Sequence, residues 1–409
     1  MRIKLKHKSY YLNGSVLPAT IVISCVMTAF TAGLLALWSQ EKFVHAQIRR
    51  LRQAKADIES AVALYCRQPG DISLTAKNGY QLYDSLPMSR VYMRTEPWGL
   101  YELLHVVTKD SLVSSCRLLG VAPDPKTTLW LADDRTTLTL AGQSEVKGTI
   151  YLPQNGLVYG RMNTDFFQGR AISGNNVKRS DSELPAVARS VEIRLDSLFN
   201  AGRNLLQTGI PDSLSISFHS SETIPLKIED AEIGDCRLWG RIVLYGEELR
   251  IDSTCRMMFP IVVARKITVG SGSRITAQLF ARDSVIMEPR STLEYPSGIW
   301  SGRYAALLEQ ARIDGYVIIR DTVTHRKPAA CYRQNRTARV RGLLRADGAA
   351  QVQGLITGQA LLHQLVYFSP RGYYKGMLYD ATLLENPLTA FPLGCGAGTK
   401  YRKEVSELK

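Results

Sequence analysis

A series of apolar residues at six-residue intervals is the strongest constraint on the fold of this chain. Its members are Ile233, Trp239, Tyr245, Ile251, Met257, Val263, Val269, Ile275, Ala281, Met287, Leu293 and Ile299. Only 45% of the chain is hydrophobic, so an unbroken apolar series is selective. A hexad repeat places one inward side chain on each short strand of a three-sided coil, and three hexads make a coil of about 18 residues. The sequence therefore predicts a parallel β-solenoid with these residues in its core.

A second set of apolar residues recurs at the same coil interval. Leu249, Ile267 and Val285 are spaced by the length of three hexads, and Gly and Ser cluster where a coil needs bends. An antiparallel sheet whose alternation happens to fall into phase is the alternative.

The N-terminus carries a candidate membrane span. Residues 16–38 contain no charged side chain, and Arg2, Lys4, Lys6 and Lys8 precede them. A run of this length can cross a bilayer, and it is longer than the apolar run of a cleaved signal peptide. We expect a single-pass protein of the inner or cytoplasmic membrane, with the lipid bilayer as its first partner.

Orientation has a weaker signal, because Lys and Arg also follow the span at residues 42–55. A long domain after the span tends to be translocated regardless of charge. We therefore expect residues 1–15 to form a basic cytoplasmic tail and the bulk of the chain to lie outside the cytoplasm.

Helical periodicity continues beyond the span over residues 39–66. Val44, Ile48, Leu51, Ile58 and Val62 keep a helical spacing, and no Pro or Gly occurs before Pro69. One helix from about Leu17 to Cys66 would be roughly 75 Å long. The apolar stripe on its second half predicts packing against a domain or partner, with a short coiled coil as the alternative.

The first 66 residues resemble the N-terminus of type IV pilins and pseudopilins: a basic leader, Gly14-Ser15, an apolar span and a continuing amphipathic helix. The resemblance implies cleavage after Gly14 and a role in assembly. The family's Glu at the fifth mature position is replaced by Ala19, which points to an accessory subunit. Residues 22–25 also fit a lipobox, but the apolar run continues well past Cys25, unlike that of a lipoprotein.

The rest of the chain divides into three predicted parts. Residues 67–145 read as a small antiparallel β head on the helix, with strands near 100–107, 112–119, 128–131 and 137–140. Residues 146–370 form the solenoid, interrupted by insertions near 161–215 and 302–336, the latter with a helical run at 303–313. Residues 371–409 read as an irregular segment. The predicted fold class is mainly β, with a transmembrane helix and a small α+β head.

The central coils also resemble bactofilins, which are polymer-forming proteins with a triangular β-solenoid. The likeness rests on the hexad phase and on patches such as residues 352–358. It implies a scaffold role, although the anchor helix and insertions are departures.

Catalytic and metal-binding patterns are thin. Hexapeptide acyltransferases share the coil but need a His base, and no His lies between His219 and His325. Solenoid enzymes that cleave polysaccharides use clustered carboxylates, whereas Asp252, Asp283 and Glu288 do not recur at the coil interval. We expect no catalytic residues, no metal and no cofactor, with an enzyme as the least favoured class.

Six of the seven cysteines follow the span: Cys66, Cys116, Cys236, Cys255, Cys331 and Cys395. An even number suits disulfides in an oxidising compartment, although their pairing stays open. Cys236 and Cys255 lie about one coil apart, and Cys66 with Cys116 would tie the helix to the head. Buried thiols are the alternative.

The formal net charge is +14, and scattered arginines contribute to it on the coils: Arg237, Arg241, Arg250, Arg256, Arg265, Arg274, Arg282 and Arg290. Anionic glycan is a candidate ligand, a solvated face is the alternative, and nucleic acid is not expected. The combined prediction is a membrane-anchored structural or assembly protein of the cell envelope. A glycan- or partner-binding surface protein is the second hypothesis.

Overall fold

The computed structural model describes residues 16–408, except for residues 70–78, 84–88, 125, 163, 204, 208, 230, 322–328, 386–388 and 397. The predicted cytoplasmic tail and the candidate processing site, Gly14 and Ser15, lie outside the described residues. The fold is mainly β, with one long apolar helix at its N-terminal end.

Two α-helices and one 3₁₀ segment accompany the strands: α1 (Val16–Arg67), Gly174–Asn176 and α2 (Arg189–Ala201). The strands, in chain order, are β1 (Tyr80–Gln81), β2 (Arg90–Trp98), β3 (Tyr101–Thr108), β4 (Ser114–Val121), β5 (Thr127–Leu131), β6 (Leu138–Ala141), β7 (Glu145–Val146), β8 (Thr149–Leu152), β9 (Leu157–Tyr159), β10 (Arg161–Met162), β11 (Asp165–Phe166), β12 (Val177–Arg179), β13 (Ser213–Ile216), β14 (Ile224–Lys227), β15 (Glu232–Ile233), β16 (Arg237–Gly240), β17 (Ile242–Tyr245), β18 (Glu248–Ile251), β19 (Arg256–Val269), β20 (Arg274–Met287), β21 (Thr292–Ser301), β22 (Tyr304–Leu307), β23 (Arg312–Ile319), β24 (Tyr332–Gln334), β25 (Arg339–Gln351), β26 (Gly354–Ser369), β27 (Gly372–Lys375), β28 (Met377–Tyr379), β29 (Ala381–Leu384) and β30 (Arg402–Leu408).

Helix α1 runs without a break through the apolar span and its extension, as the pattern predicts. Its first part is long and apolar enough to cross a membrane, a property that signal sequences share. None of this apolar part is buried in the protein. Only its last turns contact the fold, where Ile58, Val62 and Tyr65 are buried. Val44, Ile48 and Leu51 of the predicted stripe stay exposed.

An antiparallel five-stranded sheet in the order β1-β2-β3-β4-β30 receives the end of α1. Val91, Leu104 and Leu119 pack against the helix. Arg117 ties the two together, since its Nη2 lies 2.6 Å from Glu59 Oε1 on α1 and its Nη1 lies 2.7 Å from Glu404 Oε1 on β30. The helix end is therefore fixed to the sheet by apolar contact and by charge.

Most other strands pair in parallel in one closed sheet, called here the parallel body (β5, β7, β8, β12–β26 and β29). Ile224 lies opposite Ile242, and Glu232 opposite Arg250. These facing residues are separated in sequence by three hexads. Elsewhere the sequence interval between facing residues is longer, as between Arg312 and Arg339. Stacking does not follow chain order throughout, because β5 pairs with β26 and β8 pairs with β5.

Eleven of the twelve hexad residues are buried, and Trp239 is half-buried. Tyr245 and Val263 face outward and pack against the antiparallel sheet and α2, whereas their neighbours Leu244 and Val262 point into the body. A strand covered on both faces is apolar at every position, so alternation cannot tell inside from outside there.

Several segments differ from the sequence prediction. Residues 303–313, expected to be helical, contain β22 and the start of β23, so much of the predicted insertion at 302–336 belongs to the parallel body. Strand β5, placed in the head by the prediction, also belongs to it. The C-terminal segment is not irregular throughout, because β29 joins the parallel body and β30 the antiparallel sheet.

The side chain of Gln278 joins the antiparallel sheet to the parallel body. Its Oε1 accepts hydrogen bonds from Leu100 N and Tyr316 OH, both at 2.9 Å, and its Nε2 donates to Trp98 O at 3.0 Å. The intervening Gly99 has a φ of +59°, and a Cβ there would lie 2.1 Å from Gln278 Oε1. The β2–β3 turn thus docks on one buried amide.

Replacing this amide should weaken the docking. Gln278→Leu would leave Leu100 N–H, Trp98 C=O and the Tyr316 hydroxyl without their buried partner, and we expect a loss of about 3 kcal/mol in the free energy of unfolding. Urea titration of the detergent-extracted full chain measures it. The exposed glutamine variant Gln154→Leu is the control, and equal midpoints for the two variants would contradict the role of Gln278.

Candidate functional site: an arginine-lined groove

Exposed arginines stand in line on one outer face of the parallel body. Arg237 is in register with Arg256 on the next strand. Further along, Arg274, Thr292, Arg312 and Arg339 are successive register partners. Arg256 and Arg274 each precede the register pair Met258–Thr276 by two residues, which connects the two series. We call these five arginines and Thr292 the arginine row.

Strand alternation explains why the row points outward. The residue after each member is apolar and buried: Leu238, Met257, Ile275, Leu293, Ile313 and Val340. Because successive side chains of a strand point to opposite faces, every buried residue sets its neighbour in the row outside. The five guanidinium groups are all on exposed residues.

A groove of about 700 Å³ lies at the Arg312–Arg339 end of the row. Arg290 and Arg336 add two further guanidinium groups at a corner of the body. The polar groups around these four arginines come from Gln143, Thr292, Gln310, Thr337 and Thr382. The groove is thus rich in cations and in neutral hydrogen-bonding side chains.

The charge of the groove is largely unbalanced. Asp380, its one acidic lining residue, lies 3.5 Å from Arg336 through Oδ2, and its Oδ1 accepts a hydrogen bond from Gln143 N. Among the described residues, no carboxylate forms an ion pair with Arg290, Arg312 or Arg339. Three arginines of the groove therefore present their guanidinium groups to solvent.

Neighbouring acids compensate part of the row itself. Glu294 pairs with Arg274, and Asp314 lies 2.5 Å from Arg341 beside Arg312 and Arg339. Burial raises the pKa of Asp314 above its ordinary value, against the opposing effect of Arg341. Arg274 is therefore the weakest cation of the row toward an added anion.

Other arginines expected on the coils have structural partners. Arg250 binds both carboxylate oxygens of Glu288 at 2.5 and 2.7 Å, and Arg265 lies 2.9 Å from Glu247. Arg282 donates to Phe199 O. These three side chains are engaged in contacts within the protein.

Buried Arg241 forms an ion pair with Glu96 across the contact between the antiparallel sheet and the parallel body. Burial would raise the pKa of Glu96, but hydrogen bonds from Arg241 and Arg94 outweigh it and hold that pKa below its ordinary value. This arginine is therefore part of the docking contact and not of the row.

The arrangement suits binding of extended anions. A guanidinium group presents parallel N–H donors that match a carboxylate or phosphate, and several in line can hold successive charges of one chain. Within the described residues, no group of three or more His, Cys, Asp and Glu side chains is placed to hold a metal ion.

Sequence reasoning found one end of the row and missed the other. Arg237, Arg256, Arg274 and Arg290 were among the expected surface cations. Arg312 and Arg336 fell in a segment interpreted as an insertion, and the intervals that separate Thr292, Arg312 and Arg339 are longer than the repeat. Counting the recurring Arg before each buried apolar residue would have been the usable signal.

Comparison of the chain with protein-family models, curated proteins and solved structures found no match. The resemblances to pseudopilins and bactofilins therefore stay predictions.

One pair among the candidate disulfide cysteines is in bonding position. Cys236 Sγ and Cys255 Sγ lie 3.1 Å apart, on residues that precede register partners in adjacent strands. Cys66 and Cys116 belong to clusters on opposite faces of the antiparallel sheet, so they cannot pair as suggested. Cys331 and Cys395 are buried, and all seven cysteines are free thiols in this structure.

Oxidation should join Cys236 to Cys255. The hydrogen bond from Cys255 lowers the pKa of Cys236, which makes Cys236 the attacking thiolate toward a disulfide reagent. Glutathione disulfide should yield this cross-link and reduced glutathione, detected by mass spectrometry of non-reduced peptides, with a higher melting temperature. The variant Cys331→Ser should form the same cross-link. Detection of a cross-link at Cys236 in the variant Cys255→Ser would contradict the pairing.

Proposed function

We propose that this protein is a membrane-anchored structural or assembly component of the cell envelope, whose parallel body is a β-solenoid that holds a linear polyanion. The observation that carries the proposal is the arginine-lined groove, in which three arginines have no ion-pair partner among the described residues. The parallel pairing of strands at coil-length intervals supports the solenoid architecture.

The anchor supports a role at a membrane surface. Side chains along the span are exposed, with Phe30 at 62% and Leu37 at 65%, and apolar surface of this extent is covered by lipid. In this proposal, the apolar contacts and ion pairs that fix the end of α1 hold the parallel body at a set distance from the bilayer.

The exposed part of the helix extension supports assembly with other subunits. Val44, Ile48 and Leu51 lie between the span and the antiparallel sheet, on a stretch that the fold does not cover. In the pseudopilin-like interpretation, this stretch and the membrane half of α1 contact neighbouring subunits. The basic groove on the parallel body remains accessible in that arrangement.

Two charges in the middle of the span should abolish anchoring. Val22→Arg with Thr28→Arg adds a cost of about 2.5 to 3.5 kcal/mol per arginine on membrane insertion scales. We expect the double variant to become extractable by alkaline carbonate or to fail in insertion. Gln40→Arg with Gln47→Arg adds the same charge beyond the span and should stay in the membrane; equal behaviour of both double variants would refute this anchor.

Removing two groove cations should weaken polyanion binding. We expect Arg312→Gln with Arg339→Gln to reduce the affinity of the detergent-solubilised full chain for its best linear polyanion about a hundredfold, because each lost charge-assisted contact contributes about tenfold. Calorimetric titration with polyphosphate, polyglutamate and polygalacturonate measures it. Arg189→Gln with Arg203→Gln, near α2 on another face, is the charge-matched control.

Added salt should weaken the interaction of the wild type as counterions compete for the arginines. The proposal is wrong if no polyanion binds, or if the groove variant and the control variant lose affinity equally.

A further inference from the structure

We propose that the arginine row and its groove bind a linear polyuronate, a polysaccharide with one carboxylate on each sugar. The inference deepens the proposed function, since it rests on anion binding at this groove and adds the chemical class of the ligand. Spacing, the geometry of the donors and the side chains beside the row each support it.

The step between neighbouring strands of the parallel body is similar to the length of one sugar unit in a polysaccharide. Neighbouring strands lie about 4.8 Å apart, so the row offers one position at each such step along the body. One pyranose ring adds a similar length to an extended 1→4-linked chain, so its carboxylates recur on the side of the row at this step or, where successive rings are turned over, at twice this step. In duplex DNA the phosphates of each strand recur about every 3.4 Å along the helix axis, a repeat that does not match the step between β-strands.

The arginine row is long, and its charge is interrupted in the middle. Arg237 to Arg339 covers five steps between strands, or about 24 Å. Thr292 interrupts the guanidinium series, and Glu294 partly neutralises Arg274 beside it. The row is therefore two pairs of arginines, Arg237 with Arg256 and Arg312 with Arg339, joined by a weaker middle. Only the second pair has the added cations of the groove, Arg290 and Arg336, so it is the stronger end.

Hydroxyl, amide and apolar side chains lie beside the arginine row. At the groove, the hydroxyl groups of Thr292, Thr337 and Thr382 and the amide of Gln310 can bind sugar hydroxyls. At the other end, Trp239 and Met258 are register partners on the same outer face as Arg237 and Arg256. Met258 is 51% exposed, and such apolar surface suits the C–H face of a sugar ring.

A polyphosphate has neither ring faces nor neutral hydroxyls, so it would use the arginines and leave these other groups unused. The combination of cations, hydroxyls and apolar side chains along one line therefore favours a carboxylated sugar chain.

The test uses oligogalacturonates of defined length with the full chain in detergent, measured by isothermal titration calorimetry. Three sugars can fill the groove end only, whereas six sugars extend from Arg339 to Arg237. We expect the hexamer to bind at least about tenfold more tightly than the trimer, since it gains two or more carboxylate contacts. Neutral oligomers of the same linkage should show no measurable binding.

Variants at the far end give the decisive comparison. Arg237→Gln with Arg256→Gln should weaken hexamer binding about tenfold or more and leave trimer binding unchanged. Arg312→Gln with Arg339→Gln should weaken both. Arg189→Gln with Arg203→Gln should change neither, and circular dichroism verifies that each variant is folded.

The possible failures separate the two proposals. If polyphosphate or DNA binds at the groove more tightly than polygalacturonate, or if the hexamer has no advantage over the trimer, the polyuronate assignment is overturned while anion binding stands. If no polyanion binds the wild-type chain, both fail.

Discussion

The antiparallel sheet is covered on both of its faces, and the rest of the architecture depends on this sandwich. On one face, the last turns of α1 bury Ile58, Val62 and Tyr65. On the other, Trp98, Leu100 and Tyr101 pack on the parallel body, and Gln278 supplies the hydrogen bonds that their turn requires. A buried polar group without its partner is costly, so this contact fixes position as well as adding stability.

This layering connects α1 to the parallel body through packed contacts and ion pairs. Arg117 links α1 and β30 to the sheet, and buried Arg241 links the sheet to the parallel body through Glu96. The side chains of Arg117 and Arg241 are largely buried, so salt screens their ion pairs less than it screens ion pairs at the surface. The orientation of the arginine row relative to α1 is therefore determined by packed layers.

Local patterns predicted the parts of the fold that depend on neighbouring residues. The uninterrupted helical spacing located α1, and nine of the twelve hexad residues lie in the interior of the parallel body, whereas Trp239, Tyr245 and Val263 do not. Other contacts have no local signature. Strand β5 stacks on β26 although more than two hundred residues separate them. Strand β30 carries charges, such as Glu404 and Glu407, that pair with Arg117, so it lacks the alternating apolar pattern by which a strand is recognised, and its segment was predicted to be irregular. The strands that Gln278 connects are equally distant in sequence.

The arginine row shows why an outer face can be harder to predict from sequence than the core beneath it. Ladder hydrogen bonds keep Ile313 opposite Val340 although the sequence interval between them is longer than three hexads. Insertions of this kind change the sequence interval but not the step between strands, which stays at about 4.8 Å. Arg312 and Arg339 thus remain neighbours in space whatever the length of the connection. The hydrogen bonds between strands set the spacing of the charges along this face. A search of the sequence for residues at strictly equal intervals therefore misses the row.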